Sequence, residues 1–176
     1  FEPKDKGSWR ILFYPETDNL KELYRYPKDI NVRYGEKFLS PIMITTRPPA
    51  DSDEIETLAF DDQQWDWYCD YIHEPFNEQS KHQLGGYQAP IQGSDMDLEC
   101  QLASNGIYVG DESGYKTSQA KELAENRSDW TLLMQIDTDD YAKMMWGDCG
   151  MLYFWIKKED LKNLDFENVW MILQCG

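Results

Sequence analysis

The chain has 176 residues, of which 41% are hydrophobic and 14% aromatic, enough for one compact domain over residues 1–176. Its 33 acidic residues against 17 Lys and Arg give a net charge of −16, which repels nucleic acid and anionic membranes and attracts basic partners. No apolar run approaches the roughly 20 residues of a membrane helix, so we expect neither nucleic-acid nor membrane binding. The chain starts at Phe1 without an initiator Met or a targeting pattern, which indicates a processed product or a fragment.

Five short segments predict β-strands, because each is rich in β-branched or aromatic residues and is bounded by turn formers. They are residues 9–14, 42–46, 130–136, 151–156 and 169–174. Pro48 and Pro49 predict a loop after the second strand, since proline breaks both helices and strand ladders. The glycine-rich residues 103–115 predict a long irregular loop.

Three helices are predicted, over residues 61–74, 118–126 and 158–164. The first carries a stripe of residues at i, i+3, i+4 and i+7 that we expect to be buried: Trp65, Tyr68, Cys69 and Ile72. Asp61 or Asp62 is expected to cap its N-terminus and Pro75 to end it. The third helix is expected to connect two strands.

The order of these elements favours an α+β fold. Strands and helices do not alternate regularly, and the last strands are joined by short links, so we expect a mostly antiparallel twisted sheet with about three helices packed on it. Residues 7–14 also resemble residues 150–156, because in both a small residue leads into an aromatic strand. This similarity suggests an internal duplication whose first unit is truncated.

The first predicted helix lies in the most acidic part of the chain. Residues 51–80 contain ten acidic residues and no Lys or Arg, a net charge of −10. Four of the acids are spaced four apart and form one stripe: Asp62, Asp66, Asp70 and Glu74. Trp67 and Tyr71 lie beside it, and acids flanked by aromatic rings suit a Lys/Arg-rich partner. The alternative is a solvated face whose aromatic residues pack under a neighbouring loop.

The four cysteines, Cys69, Cys100, Cys149 and Cys175, are too far apart for a zinc or redox motif. We interpret them as reduced core thiols of a cytoplasmic protein, and two disulfides in a secreted protein are the alternative.

A cluster of acids, Asp137, Asp139 and Asp140, follows an apolar strand and is the one candidate metal site. Carboxylates two residues apart at a strand end can converge on a divalent cation, as in metal-dependent sugar transferases. An EF-hand loop does not fit, because Ala142 stands where glycine is needed. No phosphate-binding or dinucleotide motif accompanies the cluster. We favour a strand-ending acidic turn and expect no metal and no cofactor.

The sequence Trp146-Gly147-Asp148-Cys149-Gly150 precedes a predicted strand and is typical of a tight turn. A thiol nucleophile is the functional alternative. Cys149 with His82 is the one thiol–imidazole pair worth testing, with Asp148 as acid or base. Paired carboxylates for glycoside hydrolysis remain a further option.

Several stretches, taken in order, resemble the YwqG-like bacterial proteins, a family classed as a domain of unknown function. They are residues 82–87 with 91–92, 130–137, 146–154, 160–161, 166 and 173–175. The resemblance covers residues 80–176 well, and residues 9–46 resemble the family's middle strands. It implies an α+β fold with two related sheet units and a bacterial, cytosolic setting. Family members have a longer N-terminal part, and the acidic helix is not part of the pattern, so its role does not carry over.

The resemblance implies structural positions rather than a catalytic site. The motif residues fall at predicted turns and core positions: His82, Gly85, Gly86, Gln135, Asp137, Trp146, Gly147, Asp148 and Gly150. The family has no established activity. Some relatives lie among toxin and immunity genes, which implies a toxin-neutralising role by association.

We therefore expect a non-enzymatic cytoplasmic protein that binds a basic protein partner, as an immunity-type inhibitor does. The residues expected to contact the partner are Asp62, Asp66, Trp67, Asp70, Tyr71 and Glu74. The alternatives are a metal-dependent enzyme using the cluster that begins at Asp137, and a carbohydrate-binding module in which Trp67, Tyr71 or Tyr115 lines a groove.

Overall fold

The computed structural model of the chain describes residues 2–16, 29, 32–35, 37–73 and 80–176. The strands are β1 Gln83–Leu84, β2 Trp130–Asp137, β3 Met151–Lys157 and β4 Trp170–Gln174. They form one antiparallel sheet in that order. The helices are α1 Asp53–Glu56, α2 Asp62–His73, α3 Met96–Ser104, α4 Glu112–Tyr115, α5 Ser118–Ala124 and α6 Lys158–Lys162, with 3-10 helices at Pro3–Asp5 and Arg127–Asp129. The predicted α+β class and antiparallel sheet are confirmed.

The sheet is built on β3, the strand that pairs on both sides. Its sequence Met-Leu-Tyr-Phe-Trp-Ile is apolar without interruption, as expected of a strand covered on both faces. It pairs with β2 from Lys157 opposite Trp130 to Met151 opposite Asp137. On its other side it pairs with β4, and α6 joins these two strands as predicted.

Two clusters of apolar side chains cover the two faces of the sheet. One face packs against α3 through Met96, Cys100 and Ala103. The other face packs with the half-buried side chains Leu161 of α6 and Phe166 after it. Trp9, on the N-terminal segment, packs against both clusters. The N-terminal segment therefore belongs to the same core as the sheet.

The predicted strands over residues 9–14 and 42–46 are wrong. Neither segment has regular secondary structure, and neither joins a ladder among the described residues. Met43 is 100% exposed and Ile42 is 78% exposed, so neither side chain gains the packing that favours strand residues. A β-branched or aromatic sequence forms a strand only where a neighbouring strand accepts it. The proposed duplication is not supported either, because residues 7–14 contain no counterpart of β3.

The loop predicted over residues 103–115 is wrong at both ends. Residues 103 and 104 end α3, and residues 112–115 form α4. The sequence pattern does not predict α3, because its apolar residues do not form a single stripe. Met96, Cys100 and Ala103 face the sheet, whereas Leu102 packs with Ala120 of α5. Because both faces carry apolar residues, apolar and polar residues alternate along the sequence of α3, and the 3.6-residue period of a one-sided helix is hidden.

The cysteines and the apolar stripe of α2 are less buried than expected. All four thiols are free, but Cys100 alone is buried and Cys149 is exposed. In α2, Tyr68 is buried whereas Trp65 is exposed. None of the helices in the described ranges combines the length and the apolar character needed to cross a membrane.

Candidate functional site

Buried polar side chains of the sheet hold residues 81–93 in place. Gln135, which is 1% exposed, accepts a hydrogen bond from the Ala89 backbone N–H (3.0 Å) and donates to the Lys81 carbonyl (2.7 Å). The Tyr153 hydroxyl donates to the Ala89 carbonyl (2.8 Å). Burial raises the pKa of Tyr153, so the hydroxyl keeps the proton that this bond requires.

Gln174 of β4 holds the same segment further along the chain. Its side-chain oxygen accepts hydrogen bonds from the N–H groups of Ile91 (2.9 Å) and Gln92 (3.1 Å). Its side-chain amide donates to the Gly93 carbonyl (2.8 Å). Among the described residues, the last backbone hydrogen bond from this segment to β2 is the one that the Gly85 N–H donates to the Leu133 carbonyl (2.9 Å). Beyond it, these two glutamines supply part of the hydrogen bonding that a ladder would otherwise give.

His82 joins this segment to the end of β2. Its Nδ1 accepts a hydrogen bond from the Asp137 backbone N–H (3.1 Å), so the ring proton lies on Nε2, which donates to the Asp139 carboxylate (3.0 Å). The Asp137 carboxylate accepts from the Lys81 N–H (2.8 Å). The Ala142 N–H and then His82 stabilise the anionic form of Asp139 and lower the pKa of its carboxyl group.

The glycines of the two motifs lie where a side chain would clash or would strain the backbone. Gly86 has a φ of +74°, and a Cβ there would lie 2.5 Å from the Thr46 hydroxyl oxygen. Gly85 and Gly147 also have positive φ. In the second motif, the Trp146 indole N–H donates to the Asp137 carbonyl (3.1 Å). Asp148 is exposed, and its backbone carbonyl accepts a hydrogen bond from the Gly176 N–H. The motif residues thus make packing and backbone contacts.

Helix α2 begins with a reciprocal cap. The Asp61 carboxylate accepts from the Gln64 N–H (2.8 Å), and the Gln64 side chain accepts from the Asp61 N–H (3.0 Å). The predicted N-cap is confirmed. The Tyr68 hydroxyl donates to the Pro48 carbonyl (2.8 Å) and anchors the helix on the neighbouring loop. Burial raises the pKa of Tyr68, which keeps this donor protonated at neutral pH.

The acidic face of α2 is exposed along its described length. Asp62, Asp66 and Asp70 are all exposed. No Lys or Arg side chain in the described ranges forms an ion pair with any of the three. Glu74, the fourth predicted member of the stripe, lies outside the described residues. The three carboxylates therefore present uncompensated negative charge to the solvent.

An aromatic stack lies beside the acids. The rings of Trp67 and Tyr71 are 4.7 Å apart and nearly parallel, at 19°. The Arg47 guanidinium lies 3.6 Å from the centre of the Tyr71 ring. Because Trp67 covers one face of that ring, Arg47 must lie on the other. Tyr71 is consequently half-buried, whereas Trp67 is 60% exposed and offers its indole to the solvent.

Comparison with known families gives one clear result. The model of a family described as a domain of unknown function, DUF1963, matches residues 1–175. The chain belongs to the DUF1963 family. No match was found among the curated proteins. The family match covers α2 as well, so it is wider than the resemblance over residues 9–46 and 80–176 that the sequence suggested.

In this DUF1963 chain, two of the three acids proposed as metal ligands bind other groups of the chain, and the third is exposed. The Asp137 carboxylate accepts a hydrogen bond from the Lys81 N–H, and the Asp139 carboxylate accepts from the Ala142 N–H and from His82. Asp140 is exposed. Within the described part of the chain, no group of three or more His, Cys, Asp or Glu side chains is arranged to hold a metal ion.

No hydrogen bond joins the Cys149 thiol to His82 in the part of the DUF1963 chain that the structure describes. Both ring nitrogens of His82 are occupied, by the Asp137 N–H and the Asp139 carboxylate.

The third aromatic residue proposed for carbohydrate binding, Tyr115, is half-buried and its hydroxyl donates to the Val109 carbonyl (3.4 Å). It belongs to α4 and not to the helix that carries Trp67.

Sequence reasoning missed Arg47 in this DUF1963 chain. This residue is 24 positions from Tyr71 along the sequence, and its contact depends on how the loop with Pro48 meets α2. No local pattern relates a loop arginine to a particular aromatic ring. An arginine next to two prolines was the one available signal, because prolines make such a loop rigid.

Proposed function

We propose that this DUF1963 chain is a non-enzymatic binding protein that takes a basic protein segment on the exposed face of α2. The observation that carries the proposal is the arrangement of Asp62, Asp66 and Asp70, all exposed and unpaired in the described part, next to the exposed indole of Trp67. Opposite charge steers a basic partner to this face, and an aromatic ring gives its cations a specific contact.

The chain's own Arg47 illustrates the proposed contact. A guanidinium already lies on one face of the stacked aromatic pair, 3.6 Å from the centre of the Tyr71 ring. A partner cation on the exposed indole of Trp67 would repeat this contact at the other end of the pair. An exposed cation–π contact contributes about 0.5–1 kcal/mol, and an exposed ion pair about as much. Useful affinity therefore requires several basic side chains at once.

We further propose the finer assignments that the sequence motifs suggest. These are a YwqG-like member of the family, a bacterial and cytoplasmic setting, and an immunity-type inhibitor whose target is a basic protein. Their support is the order of the motifs over residues 80–176 and, for the cytoplasm, the four free cysteines.

The test is the double substitution Asp66→Lys/Asp70→Lys, with a synthetic ten-residue Lys/Arg peptide as the ligand in titration calorimetry. We expect peptide affinity to fall at least about tenfold, a change of ~1.4 kcal/mol, and its dependence on NaCl to weaken. The matched control is Glu122→Lys/Glu125→Lys, two exposed acids at and after the end of α5, which changes the net charge equally.

The control separates a specific face from net charge. If the two double variants lose affinity equally, the α2 face has no special role and the proposal fails. Trp67→Ala provides a second measurement, because its loss of affinity should persist at high salt, where charge contacts are screened. A basic protein captured from lysate by the parent chain and not by Asp66→Lys/Asp70→Lys would then identify the target.

A further inference from the structure

A cavity of about 810 Å³ lies away from α2, since none of its lining residues belongs to that helix. One wall is the N-terminal segment from Lys6 to Leu12, and the facing wall is residues 166–170, which lead into β4. The volume falls within the roughly 300–1,000 Å³ of sites that bind small molecules.

The charge around this cavity is opposite in sign to that of the molecule. Three basic side chains line it, Lys6, Arg10 and Lys157, against the two acids Asp160 and Glu167. None of the three bases is paired with an acid among the described residues. In a chain of net charge −16, a cavity with a surplus of unpaired basic groups is a local site for an anion.

The walls also carry indole rings, of which Trp9 is half-buried, whereas Trp130 and Trp170 are 4% and 2% exposed and belong to the core. Trp9 donates its indole N–H to the Val169 carbonyl (2.8 Å) and packs edge-on against Trp170 at 5.1 Å. Lys157 holds its ammonium group 5.7 Å from the centre of the Trp130 ring. All five residues line the cavity. Fixed aromatic side chains beside a cation suit a planar ring that bears a negative group.

We propose that this cavity binds a small organic anion with a planar aromatic ring. The three basic side chains would hold the anionic group, and the ring would lie against the half-buried indole of Trp9. A small ligand fits better than a nucleic acid, because a polyanion extends over the acidic surface and meets its repulsion. A small anion inside the cavity experiences mainly the charges within one Debye length, about 8–10 Å at physiological salt.

The test uses a matched pair of fluorescent probes on the intact chain. 8-Anilinonaphthalene-1-sulfonate carries the anionic group, and N-phenyl-1-naphthylamine has the same rings without it. We expect one site for the sulfonate, with affinity at least about tenfold higher than that of the neutral probe. Arg10→Gln/Lys157→Gln should remove most of this difference and leave binding of the neutral probe unchanged.

Two controls locate the site. Lys116→Gln/Lys121→Gln removes the same charge from exposed positions outside the cavity lining and should leave both affinities unchanged. In a ¹H–¹⁵N spectrum of the seven indole N–H groups, the sulfonate should shift those of Trp9, Trp130 and Trp170 and not that of Trp67.

Three results would overturn the proposal. They are no saturable binding of the sulfonate, equal affinity for the two probes, or equal effects of the two double variants. If Arg10→Gln/Lys157→Gln does not fold, Arg10→Gln alone decides, because this side chain is exposed and lies outside regular secondary structure. Peptide binding at α2 is measured separately, so failure at the cavity leaves that proposal standing.

Discussion

Single polar side chains connect distant parts of this chain. His82 and Gln135 each bridge β2 and the segment that precedes α3, through bonds that span 46–57 residues of sequence. Sequence motifs singled out both residues as structural positions but could not name their partners. The partners are mostly backbone groups, and any residue type can supply a backbone N–H or carbonyl.

Asp139 gives a prediction for the pH dependence of stability. Its pKa is lowered in the folded chain, by the Ala142 N–H first and His82 second. It therefore contributes stability that is fully present above the unfolded pKa of about 3.9 and is lost as the pH falls through the folded pKa. We expect Asp139→Asn to be less stable at pH 7 and to lose less stability between about pH 5 and pH 2.

The measurement is urea unfolding at a series of pH values. Asp140→Asn is the matched control, because the neighbouring carboxylate is exposed and accepts no hydrogen bond from the described residues. This control should follow the parent curve. Parallel curves for Asp139→Asn and the parent chain would show that the bonds to this carboxylate do not stabilise the fold.

Whole elements differ in how much of their structure the sequence specifies. The sequence predicts α2 well, because its cap lies within four residues of the helix start and its 3.6-residue period is local. The three C-terminal strands are also predicted, since they are short apolar runs joined by short links. The segments over 9–14 and 42–46 have similar sequences, but pairing depends on a neighbouring strand that local sequence does not reveal.

The turn before β3 gives a prediction at the scale of the element. A Cβ at Gly150 would lie 2.4 Å from the Gln174 carbonyl oxygen and 2.6 Å from that of Trp146. Both atoms belong to the backbone, so neither can move without displacing β4 or the turn. We expect Gly150→Ala to lower the free energy of unfolding by about 1–3 kcal/mol in urea titrations.

Gly93→Ala is the matched control, since an added Cβ there meets no atom within 4 Å. It should change stability by less than about 0.5 kcal/mol. Equal stability of Gly150→Ala and the parent chain would mean that the turn and β4 can separate at little cost.

Charge acts at the scale of the whole molecule. A net charge of −16 on 176 residues places a repulsive field on the folded state, and residues 51–80 contribute −10 of it. The exposed acids of α2 add to the repulsion instead of forming ion pairs within the described residues. Such a surface has a cost in stability, which is consistent with a partner that compensates the charge.

Salt should therefore stabilise the free protein. We expect the melting temperature to rise by a few degrees when NaCl is raised from about 20 to 200 mM, because the Debye length shortens from roughly 20 Å to below 10 Å. The melting temperature of the variant Asp66→Lys/Asp70→Lys should rise less. Each substitution changes the charge by +2, so the net charge of the variant is −12. A melting temperature that is constant or falls with salt would contradict this account.

The sequence by itself determined what depends on neighbouring residues or on totals. These features are the acidity and its concentration in residues 51–80, the capped helix α2, the three C-terminal strands, and the α+β class. Only the tertiary structure decided which apolar segments enter the sheet, that Arg47 covers Tyr71, and that Trp9 meets Trp170 beside a cavity. The physical reason is that a cap or a helical period is satisfied within a few residues, whereas strand pairing, ring contacts and cavities require groups that only the folded chain brings together.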